Sequence, residues 1–177
     1  QPENTINMGI GIYCLMNDKR QEILWLGTDG QGIRMFYDKP DLFGSILLKD
    51  LPINIQNPIR SLYTDDDQSL WLGTKGDGIV RIQAYDTYHN KKMIPQSALT
   101  HFTTADGLSS NRVYCFQKSE YHPCIWIGTE GPGLTYYSYK EKRIKTIPQR
   151  EDTTPLRYVH SICEVDDSTL WLATTGN

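Results

Sequence analysis

ILWLGTDGQG (residues 23–32), SLWLGTKGDG (69–78), CIWIGTEGPG (124–133) and TLWLATTGN (169–177) are one motif written four times. Their tryptophans, Trp25, Trp71, Trp126 and Trp171, lie 46, 55 and 45 residues apart. A period in the forties marks supersecondary units that bury their apolar faces against one another rather than alone. The repeated residues, these tryptophans with Gly27, Gly73 and Gly128, therefore read as scaffold. Function is to be sought where the copies differ.

Working outward, each motif is preceded by a short apolar run: GIYCLM from Gly11, PIRSLY from Pro58, RVYCFQ from Arg112 and YVHSIC from Tyr158. Polar turns join the two: NDKRQE, TDDDQS, KSEYHP and EVDDST. After the glycines comes a third apolar run (IRMFY, IVRI, LTYYSY), and a looser fourth follows near Ile46, Phe102 and Ile144. Runs this short, rich in β-branched and aromatic residues and bounded by Gly, Asp, Asn and Pro, are strands. No stretch sustains a 3.6-residue period, so the chain is expected to be all-β. Several runs are apolar at successive positions, which suits a sheet covered on both faces. Four strands per unit of about 45 residues is the arithmetic of a β-propeller. The expected repeats cover approximately 9–50, 55–104, 108–148 and 155–177, about three and a half four-stranded antiparallel blades of an incomplete ring.

The 177 residues carry a net charge of −3 and are 38% hydrophobic and 22% charged, a globular composition. The mild acidity argues against nucleic acid as a partner, which calls for a basic face. No apolar run approaches the roughly 20 residues of a membrane-spanning helix, so no membrane contact is expected of this segment.

Several motifs imitate chemical sites. GTDGQG, GTKGDG and GTEGPG resemble phosphate loops, but such a loop needs a helix after it, and here a strand follows each time. Positive-φ turns explain the glycines better. The acidic runs Asp65-Asp66-Asp67 and Asp166-Asp167 fall in turns, where Asp bonds its own backbone, so no metal is expected. The cysteines form no CxxC pair. Cys14 and Cys115 align with Ser61 and Ser161, a position that calls for a small residue against a neighbouring blade. Solvation is the expectation for His89, His101 and His122. No catalytic constellation emerges from the spacing, and no cofactor is expected.

The copies disagree at the second position of the first strand, which reads Tyr13, Arg60, Tyr114 and His160. All four side chains can hydrogen-bond and three have flat apolar faces. Innermost strands line a propeller's channel, so these residues, with the loop residues Asn111 and Arg112, are the candidate ligand-binding set.

FTTADGLSSNRVYCF (102–116), a polar turn and IWIGTEGPGLTYY (125–137) resemble the two-component regulator propeller repeat. That pattern runs from a DGL-S-x-N loop through a V-x-x-I strand to LW-I/V-GT-x-G-G-L. Asp106, Gly107, Leu108, Ser109, Asn111, Val113, Phe116, Trp126, Gly128, Thr129, Gly131, Gly133 and Leu134 carry the match. The other copies match at Trp25, Gly27, Thr28 and at Trp71, Gly73, Thr74. The last departs with Ala173, and the DGL loop is absent before the first, second and fourth copies. The resemblance implies the periplasmic sensor region of a hybrid two-component histidine kinase, non-catalytic in itself, with an oligosaccharide as ligand. Two other classes stand beside it: a scaffold propeller that mediates receptor dimerisation, and a propeller enzyme such as a lyase. Propellers close with at least four blades, so completion by the remaining blades of a sensor or by a second copy of the chain is expected.

Overall fold

The computed structural model describes residues 9–20, 22–37, 43–84, 94–149 and 156–175. Within them, every tryptophan motif becomes the second strand of an antiparallel sheet. The first sheet runs β1 (Ile12–Asp18), β2 (Ile23–Thr28), β3 (Ile33–Tyr37) and β4 (Phe43–Ile46). The second is β5 (Ile59–Thr64), β6 (Leu70–Thr74), β7 (Ile79–Ile82) and β8 (Leu99–Phe102). The third is β9 (Val113–Lys118), β10 (Cys124–Thr129), β11 (Leu134–Ser138) and β12 (Arg143–Ile147). A fourth, two-stranded sheet pairs β13 (Val159–Glu164) with β14 (Leu170–Thr174). The sequence order is the spatial order in each, a meander. Among the described residues the only helices are single 3-10 turns at Leu48–Asp50, Gln96–Ala98 and Thr104–Asp106. The expected run SILL ends as strand at Ile46, because Leu48 enters the first of those turns.

The sheets are blades packed face to face, their first strands innermost: β1 lies beside β5, β5 beside β9 and β9 beside β13. Side chains alternate across a strand, so each second strand serves two junctions. Leu70 and Leu72 pack with Trp25, Ile23 and Met35 of the first blade. Trp71, between them in sequence, points the other way and packs with Val113, Ile125, Ile127 and Tyr137 of the third. This is why Leu-Trp-Leu is apolar without alternation. The Trp71 ring lies 4.8 Å from Tyr137 and 6.3 Å from Phe116, both of the next blade, and stacks at 5.8 Å on Phe102 of its own. Trp25 and Trp71 are fully buried and Trp126 is 9% exposed, whereas Trp171 is 69% exposed. No described residue covers the fourth blade's outer face. At the opposite end Leu15, on β1, is 62% exposed.

Polar ties brace the blades and cross the same junctions. The Trp71 Nε1–H donates to Asp65 Oδ2 at 2.7 Å, and Arg81, bonded to Asp67, lies over both Trp71 and Tyr137. Lys118 pairs with Asp66 of the preceding blade at 2.7 Å. Glu164 of β13 accepts from Trp126 Nε1 at 3.1 Å, Ser119 Oγ at 2.5 Å and the Glu120 N–H at 2.6 Å. His101 and His122, expected to be merely solvated, are also tied down. His101 bonds the Asp77 carbonyl at 2.5 Å and His122 the Asp167 carbonyl at 2.8 Å. His89 lies outside the described residues.

The motif's glycine is a matter of clearance. A Cβ on Gly73 would stand 2.2 Å from Ser61 Oγ and 2.8 Å from Val113 Cγ1 of the next blade. One on Gly128 would stand 2.3 Å from the Val159 carbonyl oxygen and 2.5 Å from Cys115 Sγ. Backbone cannot give way there as a flexible side chain can. The small residue at Cys14, Ser61, Cys115 and Ser161 is thus fixed first by the second strand of its own blade, and only then by the neighbour. Ala173 is tolerated where no described blade follows. Gly128→Ala should cost about 1–3 kcal/mol, the usual range for overpacking, read as a lowered midpoint in urea unfolding. An unchanged midpoint would mean that the third and fourth blades are not held at this separation.

Candidate functional site

All four variable residues share one backbone feature. Pairing between first and second strands steps from Ile12–Thr28 to Cys14–Gly27, from Ile59–Thr74 to Ser61–Gly73, from Val113–Thr129 to Cys115–Gly128 and from Val159–Thr174 to Ser161–Ala173. Each step spans two residues on the first strand and one on the second. Tyr13, Arg60, Tyr114 and His160 are therefore the extra residues of four β-bulges. A bulge frees its residue from the ladder and re-aims its side chain, and bulges are over-represented beside active sites. The glycine opposite supplies the room in which the strand can bend. Repetition thus builds the device, and variation equips it.

Three of the four side chains meet across blade boundaries. The Arg60 guanidinium carbon lies 4.4 Å from the centroid of the Tyr114 ring. The Tyr114 and His160 rings are 4.2 Å apart, inclined at 59°. His160 Nε2 then bonds Thr175 Oγ1 at 3.0 Å. The result is one continuous chain of contacts, a tilted stack Arg60–Tyr114–His160 running over the second, third and fourth blades. Tyr13 occupies the matching bulge of the first blade and is 46% exposed, but no ring or cation contact joins it to Arg60.

The loop residues play other parts. Asn111 has structural bonds: its side-chain oxygen accepts from the Thr104 N–H at 2.8 Å and its carbonyl from the Gly78 N–H at 2.8 Å. Arg112 is exposed at the rim and bonds both carboxylate oxygens of Glu130, at 2.9 and 3.0 Å. That partner raises the Arg112 pKa, so the rim charge is permanent. Burial pushes the Cys14 and Cys115 thiols, next to two of the bulges, up to about 11. They are unreactive spacers rather than nucleophiles.

The other tempting motifs are absorbed by structure. Thr74 Oγ1 donates to the Gly78 carbonyl at 2.9 Å and accepts from the Asp77 N–H at 2.7 Å, closing the glycine turn on itself. In the DGL loop Asp106 and Thr103 form a capping box around a 3-10 turn that ends on Gly107 at φ 105°. Ser109 joins Thr129 at 2.6 Å and Thr135 at 3.0 Å in a hydroxyl ladder. Asp65 and Asp166 accept from the Ser69 and Ser168 N–H groups of their own turns at 2.9 Å. Among the described residues no three His, Cys, Asp or Glu side chains converge as metal ligands.

Residues 55–76 match the family profile of the two component regulator propeller. That stretch is similar to one two-component regulator propeller repeat. The match falls on the second copy, although the third carries the fuller pattern. A comparison with curated proteins found no match. The extracellular domain of a B. thetaiotaomicron protein described as a hybrid two component system is similar with a TM-score of 0.67 at 16% identity. It covers 97% of this chain and 24% of its own. A second such domain, from a B. thetaiotaomicron protein described as a one component system, aligns at 26% identity and a TM-score of 0.62. There the coverage is 93% of this chain and 20% of that one. The WD40 repeats of RRP9 share the fold alone, at 14% identity and a TM-score of 0.59 over 83% of this chain and 41% of that one. The propeller architecture expected from the repeats is therefore the observed one, and this chain spans only about a quarter and a fifth of the two extracellular relatives.

No helix among the described residues is long and apolar enough to cross a membrane. The stack can be checked in solution. Tyr114→Leu should move the His160 ring proton signals to the positions of an unstacked imidazole. It should also cost roughly 0.5–1.5 kcal/mol, the scale of an aromatic or cation–π contact. Unmoved His160 signals would contradict the stack.

Proposed function

We propose that this chain is a ligand-sensing segment of the extracytoplasmic, periplasmic region of a hybrid two-component signalling protein, and that its ligand is an oligosaccharide. The observation that carries the reading is the stack of Arg60, Tyr114 and His160 on three neighbouring bulges. A sugar ring has apolar C–H faces and a belt of hydroxyls. Aromatic faces take the former, and guanidinium and imidazole N–H groups answer the latter. Repeated residues are consumed by packing and turn formation, so these side chains are what the scaffold presents. The reading is non-catalytic: among the described residues no nucleophile, base and orienting group stand together, and the two cysteines nearest the cluster are held as thiols.

Protein contact is a second role, favoured by a separate observation. Trp171 and Leu15 stand exposed at the two ends of the blade stack, although the other three tryptophans are buried and the counterparts of Leu15 are buried or half-buried. The remaining blades of the sensor, or a second copy of the chain, would sit on these faces.

Thermal unfolding against an oligosaccharide panel separates the two roles. A ligand of the native state at about 100 times its Kd adds roughly 2.7 kcal/mol, or about 5–10 °C for a chain of this size. Arg60→Ala and His160→Ala should each lower affinity at least tenfold while leaving the unliganded protein folded. Shifts that persist unchanged in both variants would move the site elsewhere.

A further inference from the structure

We infer that the bulge cluster recognises an anionic group on the glycan, a carboxylate or a sulfate carried on a sugar ring, with Arg60 as its seat. This rests on the ligand reading above and adds the chemical class. Arg60 is half-buried, and among the described residues its guanidinium makes no hydrogen bond and no ion pair. One terminal nitrogen, Nη1, is shielded from solvent, whereas Nε and Nη2 are not enclosed and have no acceptor, so the edge they form is open to a ligand. An accessible guanidinium edge with no acidic partner among the described residues is free to take a charged acceptor from a ligand.

Two carboxylates of the adjoining loops are already engaged. Glu130 is occupied by Arg112 through both oxygens. Asp77 is occupied by the Gln56 N–H at 2.8 Å, the Asn57 N–H at 2.7 Å and the Asn57 side-chain amide at 3.0 Å. Neither reaches Arg60. The contrast with Arg81 is instructive, because that guanidinium also lies on aromatic rings, Trp71 and Tyr137, yet it is answered by Asp65 and Asp67. The protein thus pairs a stacked arginine where it is structural and leaves one unpaired at the bulge.

Stacking engages the face of a guanidinium and leaves its in-plane N–H fork for an acceptor. Carboxylate and sulfate oxygens match that fork two at a time, whereas a hydroxyl engages it singly and without charge assistance. Tyr114 beneath and His160 beside it would then hold the ring that bears the anion.

The test is NMR titration of the full chain with millimolar galacturonate, galactose 6-sulfate and galactose, three probes that share one ring and differ at carbon 6. The Arg60 Nε–H signal and the His160 ring protons are followed at constant ionic strength. The inference expects the carboxylate or the sulfate to move the Arg60 signal with at least tenfold higher affinity than galactose. Whichever anion does so identifies the source. Arg60→Gln should remove the difference between charged and neutral sugars, and Tyr114→Phe, which keeps the stack, should retain it. If galactose binds as well as either acid, or Arg60→Gln keeps the preference, the anionic class is wrong while a sugar site stands. If none of the three moves Arg60, Tyr114 or His160, the seat and the ligand reading at this cluster fall together.

Discussion

One tryptophan wedged between each blade and the next sets the geometry on which everything else depends. Trp71 shows how. Its ring touches Phe102 on its own blade and Phe116 and Tyr137 on the following one, while its indole N–H is satisfied by Asp65. A wedge of fixed size fixes the spacing of the sheets, and close packing makes that spacing hard to change. At the inner edge the blades come so close that the second strand has no room for a Cβ. The tryptophan and the glycine two residues later are thus two ends of one constraint, the first filling the wide part of the junction and the second permitting its narrow part.

The same constraint makes a site available. Because the inner strands are held side by side, residues at one position of successive strands meet across blade boundaries. Because each inner strand is bulged opposite the glycine, those residues escape the ladder. Arg60, Tyr114 and His160 come from segments roughly fifty residues apart, yet they form one contact chain. Substitution at a bulge disturbs neither the wedge nor the ladder, so this position can vary in chemistry while the fold stays put.

Much of this was legible in the sequence, and the exceptions have physical causes. The Trp-Leu-Gly-Thr repeat and the apolar runs around it gave the strands, the meander and the number of blades, because burial on both faces leaves its mark on every residue of a short strand. The variable position was also readable, as the one place where aligned copies differ in kind. The bulge was not, since register is a relation between two strands and neither strand alone encodes it. The bonds of His101 and His122 were missed for a similar reason: each reaches a backbone carbonyl at least 24 residues away. Asn111 is expected among the ligand-contacting residues because it stands beside the inner strand, and its structural bonds are not visible in the sequence. The DGL loop uses it to hold its own turn, and only the placement of Thr104 and Gly78 reveals that. Tyr13 shares the bulge with the others but not the stack.

The central claim, that the bulges of adjacent inner strands form the ligand-contacting surface, is most directly tested by amide hydrogen exchange. Exchange would be compared with and without a saturating oligosaccharide that raises the melting temperature. The account predicts added protection at the start of β5, β9 and β13, around Arg60, Tyr114 and His160, with little change at the opposite turns near Asp66 and Asp167. Protection confined to those turns, or spread evenly over the blades, would contradict it.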